Sequence, residues 1–416
     1  MTPNLQPTAP GERHHLLDVL RGFALLGVLL ANMPSHSGYF FLSETSKQAF
    51  NTAGTDHIVE WFEHFLIDGK FYSLFSMLFG IGFALQMKRA AGIGKNFTSK
   101  FRRRLLIMFI FGLVHAILLY VGDILTVYAI TGLLLILFRN ANDKTLLRAA
   151  VVITILPIIQ YAIFWGINLS NPRAAVPPSP EENAFFDQLI RTYQEGSFVE
   201  IITNNLGGLI VGRYPDLLFT GRFFRVLAMF LVGLYVSKNM LYANVSANRV
   251  LIRRVMIWGA AIGIPCNIVL ANMMTTNAYY DMAPSGIIQP LVYAFGVPAL
   301  SLFYAAAIAL LYQSDAWKRL LNIFRPVGQL ALTNYIMQSV ICVFIFMSYG
   351  FGLIGKIGPT FLTLIGLSIY IFQLAFSHAW LRWFRFGPME WLWRSLTYLK
   401  WQPFLKTQES TIEQVA

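Results

Sequence analysis

The sequence predicts an all-α fold: a polytopic transmembrane helix bundle of about ten spans, with both termini cytoplasmic. Three observations predict it. Of 416 residues, 56% are hydrophobic and only 12% are charged, whereas soluble domains carry roughly 25% charge. Mean hydropathy is +0.56. The apolar residues fall in long runs that do not alternate as barrel strands do, and a helix crosses a bilayer with about 20 of them. Composition therefore excludes a soluble globular enzyme, a disordered chain and a nucleic-acid partner, despite the net charge of +12. Cys266 and Cys342 lie in apolar runs and offer neither a disulfide framework nor metal-ligand spacing.

In chain order the spans are expected at 16–34, 64–87, 104–120, 123–138, 146–168, 219–237, 251–273, 287–312, 329–350 and 359–381. Residues 1–12 read as a disordered tail. Span 1 reads as a retained anchor, because no small-x-small cleavage site follows it. Only Val121 and Gly122 separate the third and fourth stretches, so these form a tight helical hairpin. Residues 13–384 make up the bundle, and its longest non-spanning segment, 169–218, is external. That segment opens with Asn171-Pro172 and Pro177-Pro178-Ser179-Pro180. The spacing of Phe185, Phe186, Leu189, Ile190 and Tyr193 predicts one short amphipathic helix there. Residues 385–416 form a cytoplasmic interfacial helix and tail. Gly387-Pro388 stops the last span, and 389–398, rich in Trp and Arg, is expected to lie along the inner surface as an anchor.

Lys and Arg set the orientation. Lys88, Arg89, Lys95, Lys100, Arg102, Arg103 and Arg104 crowd one connection, which places it in the cytoplasm. Alternation from there puts most of the 32 basic residues on the same side and both termini with them. Multi-pass insertion in a bacterial inner membrane, with membrane lipids as partners, follows as the expected location.

Ionisable groups inside spans are costly and are default candidates for function. Asp18 and Arg21 sit three apart at the start of span 1, with Gly22 beside them and Asn32 at the far end. They are expected either to pair structurally or to form an anion site at the cytoplasmic mouth. His64 and Asp68 are four apart, and His57 lies two turns earlier. A carboxylate beside an imidazole orients the ring for general-base work; the plainer alternative is interfacial polarity, with Lys70 snorkelling to the headgroups. His115 and Asp123 read as a polar hairpin tip. Asn334 and Gln338 are four apart in span 9, where amides usually tie helices together at about 0.6 kcal/mol each, or line a pocket. Arg222 and Arg225 run against the charge bias, so they are expected to meet an anionic substrate, Asp216 or a lipid phosphate. No Walker-type phosphate loop, Gly-x-Ser-x-Gly elbow or His-Glu-x-x-His motif occurs, and no metal is expected.

Four segments together resemble the YeiB-type family of bacterial multi-span inner-membrane proteins. They are Leu17-Asp18-Val19-Leu20-Arg21-Gly22, Asp68-Gly69-Lys70-Phe71 with Phe79-Gly80-Ile81-Gly82, Ala331-Leu332-Thr333-Asn334-Tyr335, and Phe386-Gly387-Pro388-Met389-Glu390-Trp391. More distantly, Asp18-x-x-Arg21-Gly22 with Asn32 is similar to the transmembrane acyltransferases, which include the lysosomal heparan glucosaminide acetyltransferase. That resemblance implies an acyl group moved from cytoplasmic acyl-CoA, with no tightly bound cofactor, to an envelope sugar, lipid or small molecule. It implies catalytic roles for Asn32 and for His57 or His64. Arg21, Arg102, Arg103 and Arg104 would then grip acyl-CoA phosphates, and Asn32 would donate to the oxyanion. Two other classes stay open. One is a transporter or exporter of a small anionic or lipid-like molecule using Asp68, His64 and Arg21. The other is a non-catalytic scaffold.

Overall fold

The computed structural model describes residues 14–92, 97–170, 180–274, 279–280 and 282–406. The expected tail at 1–12, the Asn171–Ser179 stretch and the last ten residues lie outside them. Among the described residues, regular structure is helical, apart from an isolated bridge between Phe384 and Leu405. The helices are α1 (His15–His36), α2 (Glu44–Gln48), α3 (Ala53–Leu66), α4 (Lys70–Gly92), α5 (Phe97–Leu118) and α6 (Leu125–Leu135). There follow α7 (Asp143–Ser170), α8 (Pro180–Glu195), α9 (Phe198–Gly207), α10 (Tyr214–Phe219), α11 (Arg222–Lys238) and α12 (Arg249–Met274). The chain closes with α13 (Ile288–Leu311), α14 (Asp315–Leu321), α15 (Arg325–Gln329), α16 (Ala331–Phe346), α17 (Pro359–Trp383) and α18 (Pro388–Tyr398).

Every expected apolar stretch is helical, but not all are long and apolar enough to cross alone. Six are, and up to eight if each bent pair counts as one span. The bent pairs are 198–219 with α11, at 58°, and 315–329 with α16, at 77°. The difference from ten has plain causes. α5 carries Lys100, Arg102, Arg103 and Arg104 in its first turns, and α6 with the 3-10 turn Ile136–Phe138 stays short. The segment expected to hold one amphipathic helix holds more: α8, α9, a π-helical stretch Gly208–Arg213, and α10.

α1 is the central helix. Leu25, Leu29 and Met33 join one core cluster with Phe230, Phe346 and Leu362. Leu17, Leu20 and Ala24 join a second with Leu74, Met77 and Leu78. A helix whose apolar residues reach two separate clusters belongs inside a bundle, and α1 packs on α4, α15, α16 and α17. α4 lies closely on α11, because Gly80 meets the Phe230 carbonyl and Gly233 the Met77 carbonyl, where a side chain at either would collide with backbone. α12 pairs with α13, α5 with α6, and α7 with α11.

One break matters for function. α3 ends at Leu66 and α4 begins at Lys70, because Gly69 takes φ +81°. Glycine alone adopts that conformation freely, and a Cβ there would also run into the Tyr293 ring and hydroxyl. Lys70 does not snorkel as expected: it is fully buried and donates to the His64 carbonyl at the end of α3. A cation suits the exposed carbonyls of a helix C-terminus.

Candidate functional site

A single cavity of about 1940 Å³ runs beside α1. Arg21 and Asn32 both line it, eleven residues apart on one helix, which is about 16 Å of rise. The cavity therefore reaches from one end of α1 towards the other.

At the α1 N-terminal end the lining is basic. Arg21 donates to Asp18 at 2.7 Å, and Arg89, Lys100, Arg104 and Arg394 face the same space. Of the three consecutive arginines expected to act together, Arg104 alone reaches the cavity; Arg102 and Arg103 do not line it. Successive helical residues point about 100° apart, so one wall cannot hold three in a row. Arg104 lies 3.5 Å from the centre of the Trp393 ring, and Trp393 donates to the Arg104 carbonyl at 3.0 Å. α18, expected as a surface anchor only, thus becomes part of the wall through Glu390, Trp393, Arg394 and Tyr398. The Glu390 carboxylate caps α16, accepting from the Leu332 and Thr333 amides at 2.6 and 3.1 Å and from the Thr333 hydroxyl at 2.6 Å. Burial pushes the Glu390 pKa up, and those three hydrogen bonds pull it partly back.

At the other end the lining carries His57, His64, Asp68, Glu60 and Glu63, with Arg213 and Arg222. His64 Nδ1 lies 2.6 Å from Asp68 Oδ2. Asp68 stands beyond the end of α3, so the pair closes across the break rather than along one helical face. The two histidines differ. His57 is exposed and makes no hydrogen bond among the described residues, whereas His64 is held by Asp68 with Nε2 left 4.0 Å from Glu60. Between the two ends, Asn32 accepts a long hydrogen bond from Tyr120 at 3.4 Å, and its amide nitrogen has no described partner.

Other expected residues stand apart from the cavity. Asn334 donates to the Val327 carbonyl and the Ser377 hydroxyl, and Gln338 to Gln373 and the Leu25 carbonyl. Both are buried ties between α1, α15, α16 and α17. Arg225 lies 3.6 Å from the centre of the Tyr293 ring and lines a small separate void. His115 and Asp123 do pair, at 3.0 Å, but not as an exposed tip: both are buried, and His115 Nε2 meets the Ser339 hydroxyl at 2.8 Å. These are the residue types and ring-nitrogen roles of a serine nucleophile with its base. None of the three lines the cavity, however, so the cluster is a brace tying α5, the α5–α6 turn and α16. Sequence reading missed Tyr72 and Tyr293, whose hydroxyls meet at 2.9 Å, and Arg213. Tyrosine in an apolar helix gives no periodic signal, and Arg213 belongs to a segment read as an external connection.

The model of the family described as "Protein of unknown function (DUF418)" matches residues 236–400. Uncharacterized protein YxaH of Bacillus subtilis is 36% identical, over 97% of this chain and 98% of its own length. An uncharacterized 39.9 kDa protein in the amylase 3' region of Bacillus acidopullulyticus is 30% identical, over 98% and 100%. Uncharacterized protein YeiB of Escherichia coli is 27% identical, over 93% and 96%. No solved structure matches. With its apolar helices, its four sequence marks and relatives matched end to end, the chain belongs to the YeiB-type family of multi-pass membrane proteins.

Proposed function

We propose that the protein is a membrane-embedded acyltransferase of the bacterial inner membrane. In this reading the basic end of the cavity faces the cytoplasm. It binds the phosphates of acyl-CoA through Arg21 and Arg104, while an acceptor hydroxyl or amine enters from the opposite end. The observation that carries the reading is the single cavity joining a cationic end to an imidazole–carboxylate pair. Its volume, about 1940 Å³, is roughly twice the upper range of 300–1,000 Å³ for an ordinary small-molecule pocket. That leaves room for donor and acceptor together.

The chemistry balances without a further reagent. His64 Nε2 takes the acceptor proton as the acceptor oxygen or nitrogen bonds to the thioester carbonyl carbon. Asp68 holds the ring and stabilises the cation that forms. Asn32 donates to the carbonyl oxygen as it gains charge. The carbon–sulfur bond then breaks, and the proton on His64 passes to the departing CoA thiolate.

The test is binding of CoA to purified protein by calorimetry. Arg21→Ala and Arg104→Ala are each expected to weaken it roughly ten- to a hundredfold, the worth of one charge-assisted contact. Undiminished binding in both variants overturns the placement of the donor. A solute flux in liposomes that follows a proton gradient and needs no acyl donor overturns the reaction itself and leaves the transporter.

A further inference from the structure

Arg222 stands at the histidine end of the cavity without a hydrogen-bonding or ionic partner among the described residues, and its Nε is buried without an acceptor. Its guanidinium lies 4.8 Å from the centre of the Tyr72 ring. Guanidinium is charged at any accessible pH and offers five donors. Left unpaired in a membrane bundle it costs several kcal/mol. Asp68 and Asp216 are near enough to act on it electrostatically, yet neither comes within ion-pair distance. Arg213 lines the same wall. It spends one terminal nitrogen on the Gly122 and Asp123 carbonyls, and its Nε is likewise buried and unpaired. Tyr280 lines the wall beside them and adds a hydroxyl donor, Thr220 lines it with its own hydroxyl donated to the Asp216 carbonyl at 2.8 Å, and Tyr72 lines it under Arg222.

We infer that Arg222 and Arg213 form an oxyanion-binding site that holds a phosphate group of the acceptor. Two guanidinium cations with spare donors, flanked by the Tyr280 hydroxyl, fit a tetrahedral phosphate with several acceptor oxygens better than a planar carboxylate. Arg225 supports the site from behind by stacking on Tyr293, whose hydroxyl meets that of Tyr72. The phosphate has two sources, a soluble phosphate ester or a lipid phosphate. The neighbouring Ile210, Val211 and Leu218 are exposed and apolar, so a lipid headgroup could enter sideways between the helices. Anion binding here stands by itself; the role as acceptor anchor rests on the acyl-transfer reading.

The experiment is thermal unfolding of the full-length protein in detergent, with glycerol 3-phosphate in one arm and a short-chain phosphatidic acid in the other. Phosphatidylcholine of the same chain length is the control. Either phosphate is expected to raise the melting temperature of the wild type, and the arm with the lower saturating concentration identifies the source. Arg222→Gln is expected to melt no lower than wild type without ligand, because it removes an unpaired charge, and to bind the phosphate roughly ten- to a hundredfold more weakly. Arg213→Gln is expected to weaken binding as well. No phosphate effect in the wild type, or an effect kept in Arg222→Gln and lost in Arg21→Ala, overturns the site. Should CoA binding fail while this phosphate response stands, the acyl-transfer reading falls and the site remains. Acyl transfer undiminished in Arg222→Gln would remove the anchoring role and leave the transferase.

Discussion

In the proposed reaction the role of His64 turns on one hydrogen bond. Asp68 fixes Nδ1, so Nε2 is the nitrogen left to take a proton. His57 has no such partner and faces the same cavity without being held. The two residues give different expected outcomes in an acyl-transfer assay. His64→Ala should lower kcat by about 10²–10⁴, the usual worth of a positioned base, whereas His57→Ala should leave it within a few-fold. Asp68→Asn should fall between them, since the ring keeps a neighbour but loses the charge that supports its cation. Equal losses in His57→Ala and His64→Ala would contradict the assignment. The spacing of His64 and Asp68 was legible in the sequence, because residues four apart in a helix lie close. That the chain breaks after Leu66 and turns at Gly69, just past Asp68, was not, since Tyr293 from a distant helix fills the space a side chain at 69 would need.

Among the elements, α18 departs most from its sequence pattern. Trp and Arg beside a Gly-Pro stop read as an interfacial anchor, and the pattern carries no sign of what the polar face touches. In the fold that face caps α16 through Glu390 and closes the basic end of the cavity through Trp393 and Arg394. Glu390→Ala leaves the Leu332 and Thr333 amides without their acceptor, and should cost about 1–3 kcal/mol, read as a lower melting temperature in detergent. Glu390→Gln should keep most of the cap. The sign of its pH dependence follows from the raised pKa. A carboxyl raised in the folded protein holds more protons there than when unfolded, so stability falls as pH rises above the ordinary carboxylate value of 4.5. The wild type should lose stability relative to Glu390→Gln over that interval. Parallel pH profiles for the two proteins would show that Glu390 is not the group responsible.

For the whole molecule, the arrangement that matters is which charges share a compartment. Arg21, Arg89, Lys100, Arg104 and Arg394 come from α1, α4, α5 and α18, yet they meet at one end of one cavity. If each bent pair among the described residues is one span, eight crossings would return the chain to the side it started from. A reporter fused to either end should then read the same compartment, and the bias of Lys and Arg makes the cytoplasm the expected reading. Reporters on opposite sides would mean that one bent pair enters and leaves by the same face.

By itself the sequence determined that the chain is helical and lies in a membrane, where each apolar run falls, and that His64 faces Asp68 and Arg21 faces Asp18. All of these follow from local rules: helical backbones satisfy their own polar groups in lipid, and residues three or four apart in or just beyond a helix come close. Only the tertiary structure decided that Arg104 reaches the cavity without its two neighbours, that Asn334 and Gln338 are ties rather than part of the cavity wall, and that Arg222 has no hydrogen-bonding partner among the described residues while Arg225 stacks outside the cavity. The reason is physical. Whether a polar side chain in a bundle is spent on a neighbour or left open depends on helices far away in sequence, and a hydropathy pattern records which faces are apolar without recording what they will touch.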